Sequence, residues 1–342
     1  MRLTQFSHGA GCGCKLSPLV LGEILKEKGA FRQQNLLVGY EGSDDAAVLD
    51  LTSDELLLAT TDFFTPIVDS PRLFGKIAAT NALSDIFAMG GRPILALALL
   101  GWPIDHLGPE LAREVLAGAR EVLESLGLEL AGGHSIDCRE PIFGLAVNGV
   151  VPRQNLKRNY PAQVGDILYL TKPLGTGILT TAEKRGILKE EHREKAIMSM
   201  TTLNNLGQLF GEIKEVHAMT DVTGFGLAGH LLEMLRNSHK KAVLYFEKLA
   251  FLPGVDEYLA QNAVPGGTHR NWKSYGEYVQ FRQEDNREYL KIADPQTSGG
   301  LLVAVAPTAC ERVEEIISRS AFSFCAQPIG EIIAGEPKIL IQ

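Results

Sequence analysis

The chain has 342 residues, of which 45% are hydrophobic and 22% are charged, and its formal net charge is -8 at pH 7. This length suggests two domains of roughly 150 residues each, and the composition is that of an ordinary globular protein. The basic residues are scattered, which argues against nucleic acid or a membrane surface as partner, and the longest apolar run, Ile94 to Leu100, is far below the about 20 residues of a membrane span.

The five cysteines are Cys12, Cys14, Cys138, Cys310 and Cys325. Because their number is odd and only the first two are close in sequence, the pattern argues against a disulfide framework or a zinc site. The N-terminal segment has no apolar signal core, so a cytoplasmic location with reduced thiols is expected. We expect Cys310 and Cys325 to pack as small apolar side chains.

Residues 1–40 contain the glycine-rich stretch Gly9 to Lys15. Three glycines in five residues disfavour an ordered helix or strand, so a flexible arm is predicted. A short helix is predicted to follow, with Ser17 as its N-cap, and to run from Pro18 to Lys28 before Gly29 ends it.

Strands and helices alternate through residues 41–155, which predicts an N-terminal α/β domain. The predicted strands are residues 55–61 (ending at Asp62), 93–100, 128–131 and 142–151, and the predicted helices are 74–89 and 109–126. A polar stretch at 152–165 indicates the domain boundary. A second α/β domain at 156–342 is predicted to contain strands at 166–171, 243–246, 301–306 and 338–342, and helices near 177–186 and 227–237.

Aspartates in unusual settings are the first chemical signal. Asp44-Asp45 follows a glycine turn, Asp62 ends a predicted strand, and Asp221 precedes a glycine-rich stretch. Asp85 and Asn81 are four residues apart on one face of an otherwise apolar helix. Each aspartate alone can be a turn-former or a cap. Together they favour a site for magnesium and polyphosphate, since Mg²⁺ prefers carboxylate oxygens.

Glycine clusters at Ala131–Ser135, Val264–His269 and Thr297–Gly300 are the second signal. Each can be a simple turn or a place where backbone amides approach phosphate. His134 can be a packed histidine or a ligand. The sequence has no P-loop motif and no G-x-G-x-x-G that opens a helix after a strand.

The N-terminal Cys12-Gly-Cys14-Lys15 is the third signal. A thiolate is the reactive form of cysteine, and a nearby ammonium group lowers the thiol pKa. Lys15 can approach either the Cys12 sulfur or a phosphate. The alternative is an unreactive thiol in a disordered tail.

In combination these motifs closely resemble the selenophosphate synthetase (selenide, water dikinase) family. The resemblance covers nearly the whole chain, and the cysteine–lysine motif is its most specific part. The aspartate and glycine motifs alone point only to the wider superfamily of aminoimidazole ribonucleotide synthetase-like proteins. The matching stretches are Ser7–Lys15, Asp44–Val48, Thr60–Phe64, Ala78–Gly91, Leu100–Pro103, Ala131–Asp137, Met219–Gly226 and Asp294–Gly300.

The resemblance implies two mixed α/β domains preceded by a flexible catalytic arm, and a homodimer whose N-terminal sheets join across the two-fold axis. It implies the conversion of ATP, selenide and water to selenophosphate, AMP and orthophosphate, which supplies selenium for selenocysteine and selenouridine synthesis. Mg²⁺, more than one per site, and K⁺ are the implied cofactors. A selenium-delivery protein is a candidate partner. Our mechanistic hypothesis is that the γ-phosphoryl group goes to selenium and that retained ADP is then hydrolysed.

Carried over by position, the resemblance implies that Cys12 and Lys15 are catalytic. It implies that Asp45, Asp85 and Asp221 bind metal. The implied nucleotide contacts, the last three of which reach the partner subunit's site, are Lys15, Gly42, Ser43, Asp44, Asp62, Asp85, Gly133, His134 and Ser135. Cys14 and Cys138 receive no role.

Two classes of alternative remain at this point. One is another enzyme of the superfamily, namely a purine-pathway synthetase, a thiamine-phosphate kinase or a hydrogenase-maturation dehydratase. The dehydratase needs a C-terminal cysteine, whereas this chain ends Ile341-Gln342, and the Cys12–Lys15 motif disfavours the others. The second is a non-catalytic nucleotide or selenium carrier with the same fold.

Overall fold

A computed structural model describes residues 2–7, 9–16, 18–25, 33–39, 42–52, 54–282 and 287–342. Its strands are β1 Leu36–Val38, β2 Ala47–Leu49, β3 Glu55–Phe64, β4 Arg92–Trp102, β5 Leu130–Asp137, β6 Ile142–Pro152, β7 Ile167–Leu170, β8 Val216–Asp221, β9 Lys241–Leu244, β10 Val279–Phe281, β11 Leu301–Val305, β12 Gly330–Ile333 and β13 Ile339–Ile341. Its α-helices are α1 Pro18–Ile24, α2 Pro71–Ala88, α3 Pro109–Glu124, α4 Thr176–Lys184, α5 Glu190–Thr201, α6 Leu206–Gly211, α7 Gly226–Ser238, α8 Val255–Ala260, α9 Gly266–Tyr275, α10 Tyr289–Ile292 and α11 Cys310–Ser318.

The first domain is built on a six-stranded sheet in the order β1-β2-β3-β6-β4-β5, and α2 packs against β3 and β6. Buried and more exposed residues alternate along β3, as expected of a strand with one face on the core. β3 continues to Phe64, so Asp62 lies inside the strand and does not end it as predicted. It pairs with Leu145 of β6, and this pairing sustains the strand beyond the local pattern.

The edge strand β5 is the largest departure from the predicted pattern in this domain. The strand was predicted at 128–131, but it runs from Leu130 to Asp137 and takes in the glycine cluster that was expected to follow it. Gly133 has a φ of +151° and lies so close to the backbone of Ala98 that a Cβ would clash. Parallel pairing with β4 therefore holds a segment in extended form that its glycines alone would leave unstructured.

The second domain contains a seven-stranded sheet in the order β10-β13-β9-β12-β7-β11-β8. Its predicted strands at 166–171, 243–246, 301–306 and 338–342 correspond to β7, β9, β11 and β13, and its predicted helices to α4 and α7. The glycines of Val264–His269 were expected between elements, but α9 begins at Gly266, directly after Pro265. The predicted pattern also lacked the strand β8, which carries Asp221 at its end.

Helix α2 lies at the junction of the two domains. It begins after Ser70, whose hydroxyl accepts a hydrogen bond from the backbone N–H of Leu73, and it has Pro71 in its first turn. The helix contacts α3, β3 and β6 of its own domain and α5, α6 and β8 of the second. Although the helix is buried on nearly all sides, with Asn81 fully buried, Asp85 remains partly exposed.

The N-terminal arm is more ordered than its glycine content predicted. Gly11–Cys14 forms one turn of 3-10 helix, and its Cys12 is fully buried. The expectation that no helix forms here was therefore wrong, because tertiary contacts override the low propensity of glycine. The flexibility of the arm stays a prediction. Helix α1 begins at Pro18 as expected, whereas the predicted cap Ser17 and the predicted end at Lys28 and Gly29 lie outside the described residues.

Among the described residues, no helix is both long and apolar enough to cross a membrane.

Candidate active site

Three aspartates from distant parts of the chain meet in one cluster. Asp45 precedes β2, Asp85 lies on α2, and Asp221 is the last residue of β8. One carboxylate oxygen from each lies within 4.8 Å of the others. The structure thus brings together all three residues that were predicted to bind metal.

The electrostatics of this cluster suit a divalent cation. Burial, together with the charges of the other carboxylates, raises the pKa of Asp45 and of Asp85 well above the ordinary value. Burial also raises the pKa of Asp221. The Oδ2 atom of Asp45 is buried and has no hydrogen-bond partner in the described chain. Buried carboxylates that repel one another and leave an oxygen unpaired fit a site that is completed by a cation.

Each carboxylate of the cluster accepts a hydrogen bond from one hydroxyl group. Thr220 donates to Asp45 at 2.9 Å, and Thr60 donates to Asp85 at 2.5 Å. Ser84 donates to Asp221, also at 2.5 Å. These three bonds fix the orientation of the carboxylates, as groups around metal ligands commonly do.

Side chains that share a face of β3 are spaced like side chains that share a face of α2. Residues i and i+2 of a strand are about 6.6 Å apart, and residues i and i+4 of a helix rise by about 6 Å, so two pairs can form side by side. Thr60 bonds to Asp85, and Asp62 accepts a 2.5 Å bond from Nδ2 of Asn81. The prediction that Asn81 and Asp85 share one face of the helix is confirmed.

Cys12 lies against this α2 face with no exposed surface. Its Sγ is 3.3 Å from Oδ1 of Asn81, and the backbone N–H of Ser298 donates to the same oxygen at 2.7 Å. Because a backbone N–H can only donate, it fixes the orientation of the Asn81 amide: Oδ1 toward Cys12 and Nδ2 toward Asp62. The sulfur therefore faces an acceptor, which suits the neutral thiol.

Lys15 joins the arm to the same site, but not in the way the sequence suggested. Its Nζ forms an ion pair with Asp62 at 3.2 Å, and its side chain is 37% exposed. Burial opposes the charge of this ammonium group, but Asp62, Cys12 and the carboxylate cluster raise its pKa. Burial and then Asp62 raise the pKa of the Cys12 thiol, and the opposing effect of Lys15 is smaller. In this position of the arm, the expected low thiol pKa is therefore not found.

The glycine cluster Thr297–Gly300 precedes β11 as predicted and holds the arm. The Oγ1 of Thr297 accepts the backbone N–H of Cys12 at 3.1 Å. Gly11 has a φ of +51°, and a Cβ there would lie 2.4 Å from Ile67 and 2.5 Å from Thr297. Only glycine fits this point, so this glycine allows the arm to pack closely and does not simply make it flexible.

The predicted nucleotide contacts at the Gly42 turn are held by other protein groups. Asp44 forms an ion pair with Arg158 at 3.1 Å and accepts the backbone N–H of Asn159 at 3.0 Å. The carbonyl oxygen of Gly42 accepts hydrogen bonds from Asn159 and Asn237. Ser43 is exposed, with a φ of +53°. The turn therefore positions Asp45, and its contact with nucleotide stays a prediction.

The structure does not bring Gly133, His134 and Ser135 to the cluster. They lie on the exposed edge strand β5, which β6 and β4 separate from β3. Three strand spacings amount to about 14 Å. Within one chain these residues and Asp62 are thus too far apart to share a phosphate.

Several residues of the site received no individual role in the sequence analysis. They are Thr60, Asn81, Ser84, Thr220, Thr297 and Ser298. A weak signal was present, because each hydroxyl that orients a carboxylate lies within two residues of an aspartate. Yet each serves a different aspartate: Ser84 bonds to Asp221, and Thr220 bonds to Asp45. Cys14 and Cys138 take no part in the cluster, and their sulfur atoms contact Thr65 and the carbonyl of Glu140.

Two family models match the chain in tandem. Residues 43–151 match the N-terminal domain of AIR synthase related proteins, and residues 163–341 match the C-terminal domain.

Among known proteins, the selenide, water dikinase of Aeromonas salmonicida (strain A449) is 56% identical over 335 residues, which cover 98% of this chain and 96% of that protein. The thiamine monophosphate kinase of Aquifex aeolicus has a TM-score of 0.64 at 17% identity, with 94% of each chain covered. The hydrogenase maturation protein HypE in complex with ATP has a TM-score of 0.65 at 17% identity, over 100% of this chain and 94% of that one. These two structures establish the fold alone.

Proposed function

The chain belongs to the selenide, water dikinase family and is an enzyme that synthesises selenophosphate, and we propose that the Asp45–Asp85–Asp221 cluster and the arm residues Cys12 and Lys15 form its catalytic site. The observation that carries this assignment is that the arm packs against Asp62 and Asn81, directly beside the carboxylates. A cysteine and a lysine brought to a three-carboxylate cluster suit phosphoryl transfer to a soft anion.

The substrates are ATP and selenide, and the carboxylate cluster would hold magnesium. Its three carboxylates with raised pKa and the unpaired Oδ2 of Asp45 fit that ion. When bound, magnesium would neutralise the polyphosphate charge. More than one ion per site, and K⁺ as a further cofactor, are part of this proposal. The five free cysteines support a reducing, cytosolic location.

Two displacements account for the products. In the first, selenium attacks the γ-phosphorus, a P–Se bond forms, and the bond from that phosphorus to the bridging oxygen breaks to leave ADP. In the second, water attacks the β-phosphorus of retained ADP, which gives orthophosphate and AMP. The ammonium group of Lys15 would exchange its contact with Asp62 for the charge that develops on the transferred phosphoryl group.

Cys12 would present selenium from the buried position beside Asn81. Burial excludes water, which protects selenide from side reactions while the arm is closed. Since the thiol faces an acceptor and its pKa is raised, we propose that Cys12 is a neutral thiol until selenium or nucleotide enters.

We propose that the enzyme is a homodimer in which His134 and Ser135 of each subunit complete the partner's site. The open edge of β5 supports this, as do the exposed apolar side chains of Phe63, Ile94 and Ile136 on the same sheet. Sedimentation over a wide concentration range should show a dimer.

Mixed dimers can test the shared site. If His134 acts across the interface, a dimer of one Cys12→Ser chain and one His134→Ala chain retains one intact site. Activity should then return when the two inactive variants are unfolded together and refolded. If His134 acts within its own chain, both sites of the mixed dimer are defective and no activity returns.

The reaction itself is tested by phosphorus NMR on ATP, magnesium and selenide without oxygen. One AMP and one orthophosphate per selenophosphate are expected, and the orthophosphate should derive from the β-position. Free ADP as the stoichiometric end product would identify a simple kinase and reject the scheme. ATP turnover that does not depend on selenide would reject the substrate assignment.

A further inference from the structure

A cavity of about 740 Å³ lies on the outer side of the arm. The C-terminal end of α4 and the first turns of α9 form its other walls. We call it the vestibule, and its charged or thiol-bearing lining residues are Cys14, Lys15, Lys184, Arg185 and Arg270. No aspartate or glutamate is among the described residues that line it. In a chain of net charge -8, this is a local concentration of positive charge.

The vestibule differs from the nucleotide site. Of the residues that were predicted to contact ATP, only Lys15 lines it. Thr297 also lines it, and the Oγ1 of that residue accepts the backbone N–H of Cys12. The arm therefore lies between the vestibule and the carboxylate cluster. Cys12 does not line the vestibule, but Gly13, which follows it in the chain, and Thr297, which bonds to it, do.

Lys184 lies in the last turn of α4, where a cation often only balances the helix dipole, whereas Arg270 lies in the first half of α9. Two of the four vestibule cations, Lys184 and Arg270, also bond to the arm. Lys184 donates to the carbonyl oxygen of Ser7 at 2.8 Å, and Arg270 donates to that of Gly13 at 2.8 Å. Within the described chain their hydrogen-bond partners are carbonyl oxygens, and no described carboxylate forms an ion pair with either of them.

The positive charge of the vestibule lining indicates which substrate of the reaction it would attract. Hydrogen selenide is a stronger acid than hydrogen sulfide and is a monoanion at neutral pH. On the other side of the arm, the carboxyl groups of Asp45, Asp85 and Asp221 offer such an anion no positive charge before metal binds. On the vestibule side, the cations attract it.

We propose that the vestibule is the entry route of the hydroselenide anion to Cys12, and that Lys184, Arg185 and Arg270 steer the anion inward. The inference rests on the proposed function. Hydroselenide has a single heavy atom and is far smaller than the cavity, so the vestibule captures and guides it and does not bind it tightly. The arriving anion competes with the arm carbonyls for Lys184 and Arg270. Since these cations bond more strongly to an anion than to a carbonyl, arrival also loosens the arm.

Arg185 allows the cleanest test. Among the described residues, the hydrogen-bond partner of its guanidinium group is the carbonyl oxygen of Gln261, at 3.5 Å, so Arg185→Gln removes a vestibule charge and leaves the bonds to the arm intact. Lys273→Gln is the matched control, since it removes the same charge from an exposed position on α9 outside the vestibule. At low salt, kcat/KM for selenide should fall roughly threefold in Arg185→Gln and roughly tenfold in Arg185→Glu. The values of kcat and of KM for ATP should stay unchanged.

A second measurement does not depend on turnover. Cys14 lines the vestibule, so its alkylation by the anion iodoacetate, relative to neutral iodoacetamide, reports the local potential. This ratio should fall about threefold in Arg185→Gln and should not change in Lys273→Gln. At high salt, the ratios of the unaltered enzyme and of Arg185→Gln should become similar, because salt screens the charge.

The results separate the two proposals. If the unaltered enzyme forms no AMP from ATP and selenide, the proposed function fails. If that enzyme is active but Arg185→Gln and Arg185→Glu keep its kcat/KM for selenide, its salt dependence and its alkylation ratio, the vestibule is not the entry route.

Discussion

Replacing Asp45 by asparagine should stabilise the metal-free protein although it removes a proposed metal ligand. The Oδ1 of Asp45 accepts the Thr220 hydroxyl, and its buried Oδ2 has no partner. In Asp45→Asn the amide oxygen can keep the bond from Thr220, while the NH₂ group replaces the unpaired oxygen and donates toward Asp85 or Asp221.

The expected size of this effect comes from the distances in the cluster. The carboxylate oxygens lie within 4.8 Å of one another. Two unit charges at that distance repel by about 3.5 kcal/mol at an effective dielectric constant of about 20. Asp45 takes part in two such pairs, but protons held by the cluster relieve part of the repulsion. A net gain of about 2 kcal/mol would raise Tm by about 3 °C in a chain of this length.

The pH dependence has a defined sign. Since the folded-state pKa values of Asp45 and Asp85 are raised, the folded metal-free protein holds protons that the unfolded chain releases. Their contribution to stability is fully present below the unfolded pKa, at about pH 4, and is lost as the pH rises through the folded pKa. With EDTA present, the unaltered protein should therefore lose stability as the pH rises above about 4. Asp45→Asn should lose less.

Thermal denaturation with EDTA and with magnesium is the assay. Magnesium at a hundred times its Kd should stabilise the unaltered protein by about 2.7 kcal/mol, and Asp45→Asn should lose most of this gain. Asp50→Asn is the control, because the Asp50 carboxylate pairs with Arg153 and its pKa is lowered. An Asp45→Asn protein that melts at or below the unaltered one in EDTA would refute the reasoning.

Three further predictions concern the arm and the core. Gly224→Ala should release the arm and lower activity at least tenfold, since the new Cβ would lie 2.7 Å from the carbonyl oxygen of Cys12. Faster alkylation of Cys12 would show that the arm is released. Gly39→Ala is the control, because a Cβ at that position has only ordinary contacts. Asn81→Ala should lower the free energy of unfolding in urea by about 2–4 kcal/mol, because the backbone N–H of Ser298 and the carboxylate of Asp62 lose their partner. It should also speed the alkylation of Cys12. An unchanged alkylation rate would contradict the positioning role of Asn81. Burial raises the pKa of Asp294 to about 8, so its contribution to stability should fall by about 1.4 kcal/mol per unit as the pH rises toward 8, and urea unfolding of Asp294→Asn should lack this slope.

Local sequence patterns were enough to predict much of the frame of the site. The period of apolar residues predicted α2, β4 and β6, and four-residue spacing placed Asn81 and Asp85 on one face. The residue types also indicated the site, because several aspartates in glycine-flanked or apolar settings occur in the same chain as a cysteine near a lysine. These signals are carried by residues that are neighbours along the chain.

The partners of those residues were decided by tertiary structure. The bond from Thr220 to Asp45 joins residues 175 apart, and Cys12 meets Thr297 across 285 residues. No local period encodes such pairs. Tertiary contacts also determine two local conformations. Pairing with β4 places the glycines of Leu130–Asp137 in a strand, and packing gives the glycine-rich arm a buried 3-10 turn. A segment's own pattern fixes which face it can bury, whereas the free energy of burial depends on the surface that another segment presents, and only the folded chain supplies that surface.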